Sequence, residues 1–408
     1  MSSVTAEALV SLTPILDREA PLPQPAAPRS GARVIAGICA ALSIAILASS
    51  LRHQPSVETI RQWILMQSER LLPGPWDLGR IVLVGLSSIL IGYSVTAIHE
   101  LGHLIVGIGV GFRCSSIFVG PIQMSAPFRI SLNPDPRSWW HGGVSLYPGK
   151  LDRLCTRGVP MVLAGPGANL LTGCAALLFS ASGGFLVWLF IVASIGAGVV
   201  ELLLPLRGPT FVFDGRRIWM LLRDRGRGER WLALMRLIAD TRAGVPPESL
   251  SADLLARATA VTDGSADTVI AHAFAYSSAF HRHEDGDAGQ MLETCLRYAS
   301  DATPAMRAGL MSDAAVFQAR RRKRADLAEQ WLADLPAATP LPWFRSRAEA
   351  AILEAKDDLE GASRKLDEGE RSILLLPDRT QRELLLCPLR RWRSELEGRS
   401  PVRPCDAL

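Results

Sequence analysis

The chain has 408 residues, enough for two domains, and its 48% apolar content with a positive mean hydropathy leans toward a membrane protein. A formal net charge of +4, dispersed and without an aromatic-interleaved basic motif, argues against nucleic acid as a partner. Seven cysteines with no CxxC pair and no even framework suggest neither a disulfide scaffold nor a cysteine zinc site.

In chain order, residues 1–31 are polar and end rich in proline, which reads as a disordered tail rather than a cleaved signal. Residues 32–51 are apolar over about spanning length and form the first predicted membrane helix. A polar connection over 52–80 follows, with 57–72 a candidate interfacial amphipathic helix. Residues 81–111 form a second predicted span, longer than a perpendicular crossing requires. A polar interlude over 112–158 contains two short predicted strands, 114–124 and 128–132, bounded by Gly-Pro and Ala-Pro turns. Trp139, Trp140 and Tyr147 read as residues at headgroup depth, and His141 as a loop histidine. Residues 159–200 carry no charge, and Ser180-Ala181-Ser182-Gly183-Gly184 divides them into predicted spans 159–180 and 184–206.

Four spans put both termini on one side of the membrane. The interlude 112–158 carries six basic residues and the segment 207–230 seven arginines, against four arginines in 52–80, so the positive-inside rule makes that side cytoplasmic. The expected location is a bacterial cell membrane. The C-terminal part, 226–408, has helical periodicity throughout. Ala288/Leu292, Ala328/Leu332 and Ala362/Leu366 recur with spacings of 40 and 34 residues, which resembles tetratricopeptide-type helical hairpins and makes a cytoplasmic protein partner of these helices an expectation. The cluster His281-Arg282-His283-Glu284-Asp285 reads as a solvated turn. The predicted fold class is therefore mainly α, a multi-pass helical bundle with a small β element and a C-terminal helical domain.

The chemistry concentrates in His99-Glu100-Leu101-Gly102-His103. On a helix His99 and His103 share a face, so two imidazoles can reach one Zn²⁺ while Glu100 sits beside it as general base. Residues 81–111 contain no other Asp, Glu, Lys, Arg or His, and ionisable groups in a spanning helix are costly enough to mark function. A catalytic zinc needs a third protein ligand. By helical rise His99 lies roughly 27 Å from Ile81, toward the cytoplasmic end of its span, and Asp214 follows the fourth span on that same side. Asn169, about 15 Å into the third span, can steady a carbonyl oxygen or a substrate backbone, or equally make an interhelical hydrogen bond.

Together His99-Glu100-Leu101-Gly102-His103, Gly165-Pro166-Gly167-Ala168-Asn169 and the stretch from Pro205 to Asp214-Gly215 resemble the site-2 protease family of intramembrane zinc metalloproteases, over about residues 80–222. The resemblance implies His99, His103 and Asp214 as zinc ligands, Glu100 as catalytic base and a membrane-anchored protein as substrate. It also implies that the strands over 114–132 form the edge that pairs with an unwound substrate segment. The family's usual asparagine before the Leu-Pro preceding the aspartate is missing here, where Val200-Glu201-Leu202-Leu203-Leu204-Pro205 stands. Asn169 then has to serve alone, and Glu201 either replaces the missing asparagine or is an interfacial residue. A membrane-tethered helical-repeat scaffold with a degenerate protease core is the alternative reading.

Overall fold

A computed structural model of the protein describes residues 15–24, 78–125, 129–133, 136–179, 185–203, 213–336, 341–376 and 379–398. It divides into two units, Pro28–Leu232 and a second formed by Met1–Ala27 with Ala233–Leu408. The boundary falls ten residues beyond the sequence-based one, inside a helix. The expected span over 32–51 and the amphipathic helix over 57–72 lie outside the described residues.

In the first unit, α1 (Leu78–Gly109) is apolar around its whole circumference, the pattern of a helix with no aqueous face. Gly111 at φ +91° ends this run, and the chain continues into β1 (Phe112–Val119), β2 (Ile122–Ser125), β3 (Arg129–Leu132) and β4 (Gly142–Pro148). All pair antiparallel in the order β3-β2-β1-β4, with Val119 opposite Ile122 across a two-residue turn. Gly120 in that turn has φ +58°, and a Cβ there would lie 2.4 Å from the Tyr93 ring, so the turn needs glycine for conformation and for space. Two strands were expected and four are present. The expected first strand is a hairpin, and β4 lies in a stretch that its paired glycines and tryptophans had disguised.

The sheet packs on α1 through β1 and β4. α2 (Leu154–Leu177) and α3 (Phe185–Leu203) complete the apolar layer, and α4 (Asp214–Arg223) packs on both. Small residues let the helices meet closely: a Cβ on Gly102 would sit 2.4 Å from the Ala164 carbonyl oxygen. Among the described residues three helical segments are long and apolar enough to cross a membrane, Ile81–Gly109, Leu154–Leu177 and Leu186–Leu203. They match the second, third and fourth expected spans to within a few residues.

The C-terminal part of the second unit is built of helices. α5 (Arg225–Arg242) leads into it, followed by α6 (Ala252–Thr259), α7 (Ala266–His281), α8 (Asp285–Arg297), α9 (Pro304–Arg320), α10 (Ala325–Asp334), α11 (Trp343–Ala355), α12 (Leu359–Leu374) and α13 (Arg379–Leu396). The helices pack as successive hairpins, α7 on α8, α9 on α10 and α11 on α12. Ala288, Ala328 and Ala362, the repeated small residues, lie fully buried in the second helix of each pair, where only a methyl group fits between the helices.

The N-terminal tail departs from expectation. Residues 15–24 lie against α8, α9 and α10, with Ile15 and Leu16 inside the apolar core of this unit. Composition had marked the region as too polar to fold alone. What it lacks in apolar surface the C-terminal helices supply.

Candidate metal centre

The site is assembled by four helices and one strand of the first unit. His99 and His103, one turn apart on α1, point the same way, and their Nε2 atoms are 3.1 Å apart. Asp214, at the first position of α4, brings Oδ2 to 3.2 Å from His99 Nε2 and 3.0 Å from His103 Nε2. A tetrahedral ion with bonds of about 2.0–2.1 Å holds its ligand atoms about 3.3 Å apart. The three donor atoms already form a triangle of nearly that size, so the cluster can hold a metal ion. Its members are buried or nearly so.

Each ligand is held from behind. His103 Nδ1 lies 2.8 Å from the Met161 carbonyl oxygen, which makes Nδ1 the protonated nitrogen and leaves the Nε2 lone pair facing the cluster. His99 Nδ1 lies 3.3 Å from the side-chain amide of Asn169. That amide is buried, and its oxygen lacks a hydrogen-bond partner. Turning the amide by 180° lets His99 Nδ1–H donate to the oxygen, which satisfies both groups and exposes the His99 Nε2 lone pair as well. The geometry thus directs Asn169 to a ligand histidine. The sequence reading had it on substrate or in an interhelical bond, and the contact present is an interhelical one, to His99.

Asp214 is stabilised as an anion. Burial alone would raise its pKa, but the His103 and His99 imidazoles, which donate to it only when Nε2 is protonated, and the nearby Arg217 guanidinium (3.4 Å) more than offset this and hold the carboxyl well below its usual range. The positive end of α4 acts in the same sense. The Asp214 backbone N–H donates to Glu201 Oε2 (3.4 Å), so Glu201 braces the start of α4. Gly215 is required there because a Cβ would lie 2.2 Å from the Leu202 carbonyl oxygen.

The motif glycines have equally specific reasons. A Cβ on Gly165 would lie 2.3 Å from His103 Nε2, so the imidazole occupies the space a side chain would fill. Glu100 is buried and feels the charges of both histidines, Asp214 and Arg217. Its Cγ would lie 3.0 Å from a Cβ on Gly142, so the first residue of β4 runs directly beside it. Of the expected residues, His99, His103 and Asp214 converge, Glu100 flanks them, and Asn169 stands behind. Gly142, Met161 and Arg217 were missed. Two adjacent glycines in a strand-like stretch were a legible sign of close backbone approach at Gly142, whereas a backbone carbonyl such as that of Met161 leaves no mark in sequence.

Comparison of the chain with family models and with curated proteins, and of the fold with solved structures, finds no match.

Proposed function

We propose that this protein is an intramembrane zinc metalloprotease of the site-2 protease type, cutting a peptide bond in or near the membrane segment of an anchored protein. The observation that carries the proposal is the triangle of His99 Nε2, His103 Nε2 and Asp214 Oδ2, with Glu100 buried alongside. The apolar helices around it leave large side chains uncovered, Leu90 at 67%, Ile105 at 68% and Leu171 at 73% exposure, as expected where lipid rather than water is the neighbour.

Zinc in this cluster would supply a Lewis acid for the scissile carbonyl and acidify a water. Glu100 accepts the proton from the attacking water and delivers it to the departing amine. Asn169 and the Met161 carbonyl keep both imidazoles in the ligand tautomer, and Glu201 with Arg217 holds Asp214 in line. The substrate helix must unwind before its carbonyl can be reached. The sheet edge suited to hold the unwound segment is β4, the terminal strand, whose Gly142 adjoins Glu100. The expected edge over 114–132 is mostly interior, since β1 and β2 are paired on both sides.

A membrane topology with an even number of crossings would suit this reading. Residues 15–24 and the C-terminal helices form one unit, which favours an even number of crossings for the chain between them. Three candidate crossings are described; the sequence-based expectation of a span over 32–51, outside the described residues, would make four, with both termini cytoplasmic by the positive-inside rule.

Glu100→Gln in purified protein should abolish cleavage of a membrane-anchored substrate while zinc stays bound at about one equivalent. Cleavage by that variant at the wild-type rate overturns the reading. Absence of zinc from the wild type favours the degenerate scaffold.

A further inference from the structure

The segment around Ile15 is held in the manner of a bound peptide. Ile15 N–H donates to Glu293 Oε1 (3.0 Å) and Leu16 N–H to Glu293 Oε2 (2.7 Å), so one carboxylate on α8 captures two successive backbone amides. The Leu16 carbonyl oxygen accepts from Gln318 Nε2 (2.7 Å) and from Trp331 Nε1 (3.1 Å), both side chains being fully buried. Asp17 pairs with Arg322 and accepts from Gln318, while Arg18 pairs with Asp334 (2.6 Å) and stacks over the Trp331 ring at 4.5 Å. Further along, Arg307 donates to the Pro23 carbonyl oxygen (2.7 Å). An Arg18 N–H bond to the Ile15 carbonyl (3.0 Å) closes a turn, with Arg18 at φ +63°.

Ordinary helical cores are closed with apolar side chains. Here buried polar groups on α9 and α10 aim at another segment's backbone, and a ring of charge surrounds two apolar sockets. That is the anatomy of a peptide-recognition site, in which main-chain bonds supply affinity and side-chain sockets supply specificity. Among the described residues Ile15 and Leu16 enter the core, with Ala20 and Leu22 packed partly buried against it, and neither the backbone bonds nor the charged rim requires that the peptide belong to this chain.

We propose that the groove of α8, α9 and α10 is a recognition site for a turn-forming peptide of two apolar residues followed by an acidic and a basic one. Residues 15–24 are its occupant in cis. A cytoplasmic segment of the same pattern from a partner protein exchanges with them, coupling partner binding to release of the N-terminal tail. The tethered segment acts at high effective concentration, so exchange is weak until the tether is cut or the segment is altered.

The test uses the full chain in detergent, with a protease site engineered between residues 25 and 31 and a fluorescent peptide of residues 13–24 as probe. Before cutting, the probe binds poorly. After cutting and dilution, the N-terminal fragment leaves and the probe binds at least about tenfold tighter, while the helical circular-dichroism signal is retained. A probe carrying Leu16→Asp does not bind, and Glu293→Ala in the groove weakens binding by about tenfold or more. Retention of the fragment against excess probe overturns the proposal, as does unfolding once it leaves, because the segment is then an integral part of the core. A charge-reversed chain, Asp17→Arg with Arg18→Glu, gives a second reading without cutting: it binds the wild-type probe better than the parent does, and failure to do so refutes exchange. None of these readings depends on zinc or on cleavage.

Discussion

Replacing Gly165 with alanine tests whether the glycine-rich turn of α2 exists to make room for a ligand. The added Cβ would lie 2.3 Å from His103 Nε2, 2.5 Å from Cε1 and 2.8 Å from Cδ2. Ordinary contact needs a centre-to-centre separation of about 3.5 Å, so the ring must retreat by about 1 Å. It cannot do so freely, because Nδ1 is bonded to the Met161 carbonyl one turn earlier on the same helix (2.8 Å). Parting the helices instead would open the close packing of Gly102 on the Ala164 carbonyl, at its own cost. The ring therefore tilts, loses that bond and carries Nε2 away from Asp214. Weakening a supporting contact typically lowers metal affinity by about 10–100-fold, and displacing a ligand should reach at least the upper end, with about 1–3 kcal/mol of lost stability from overpacking. Zinc titration of Gly165→Ala by calorimetry, against the wild type in the same detergent, measures this. Gly167, in the same motif, has nothing within 4 Å of an added Cβ, so Gly167→Ala should bind zinc normally. Equal affinity in both variants and the wild type, or equal loss in both, refutes the steric argument.

Asn169→Ala should lower zinc affinity by about 10–100-fold through His99, whereas a purely substrate-binding role would raise KM and leave the metal untouched; metal content and steady-state kinetics on one preparation separate the two. Gly142→Val should impair catalysis more than metal binding, because its side chain would meet Glu100 and Thr96 rather than the ligands; unchanged turnover would remove β4 from the site. In the helical unit, burial depresses the imidazole pKa of His281 below its usual 6.5, and its Nδ1 bonds to the Ser277 carbonyl oxygen. The unfolded chain then binds more protons than the folded one below pH 6.5, so stability is full above that value and falls as pH drops through the folded pKa. Thermal melts between pH 7.5 and 5.5 should show this decline, and His281→Gln should flatten it; an unchanged slope in the variant would assign the dependence to other groups.

The sequence by itself determined the elements whose signals are local. Uninterrupted apolar runs announced the three described helices that are long and apolar enough to cross a membrane. The i, i+4 spacing of His99 and His103 announced two ligands on one helical face, and the absence of other charge nearby gave them weight. The helical character of the C-terminal part was legible, though not the exact helix starts, since 3.6-residue periodicity is densest where each helix buries a single stripe. What depended on distant pairing was not legible. β4 is a strand only because β1 offers it hydrogen bonds, and its two glycines lower its intrinsic preference for that state. Asn169 acquires its contact with His99 only when α1 and α2 pack at glycine distance. The tail around Leu16 shows the limit most plainly: its composition is that of a segment unable to bury itself, and its order comes from a groove built about three hundred residues away. Local propensity travels along the chain. The partner that satisfies a backbone amide or fills an apolar socket is chosen in three dimensions.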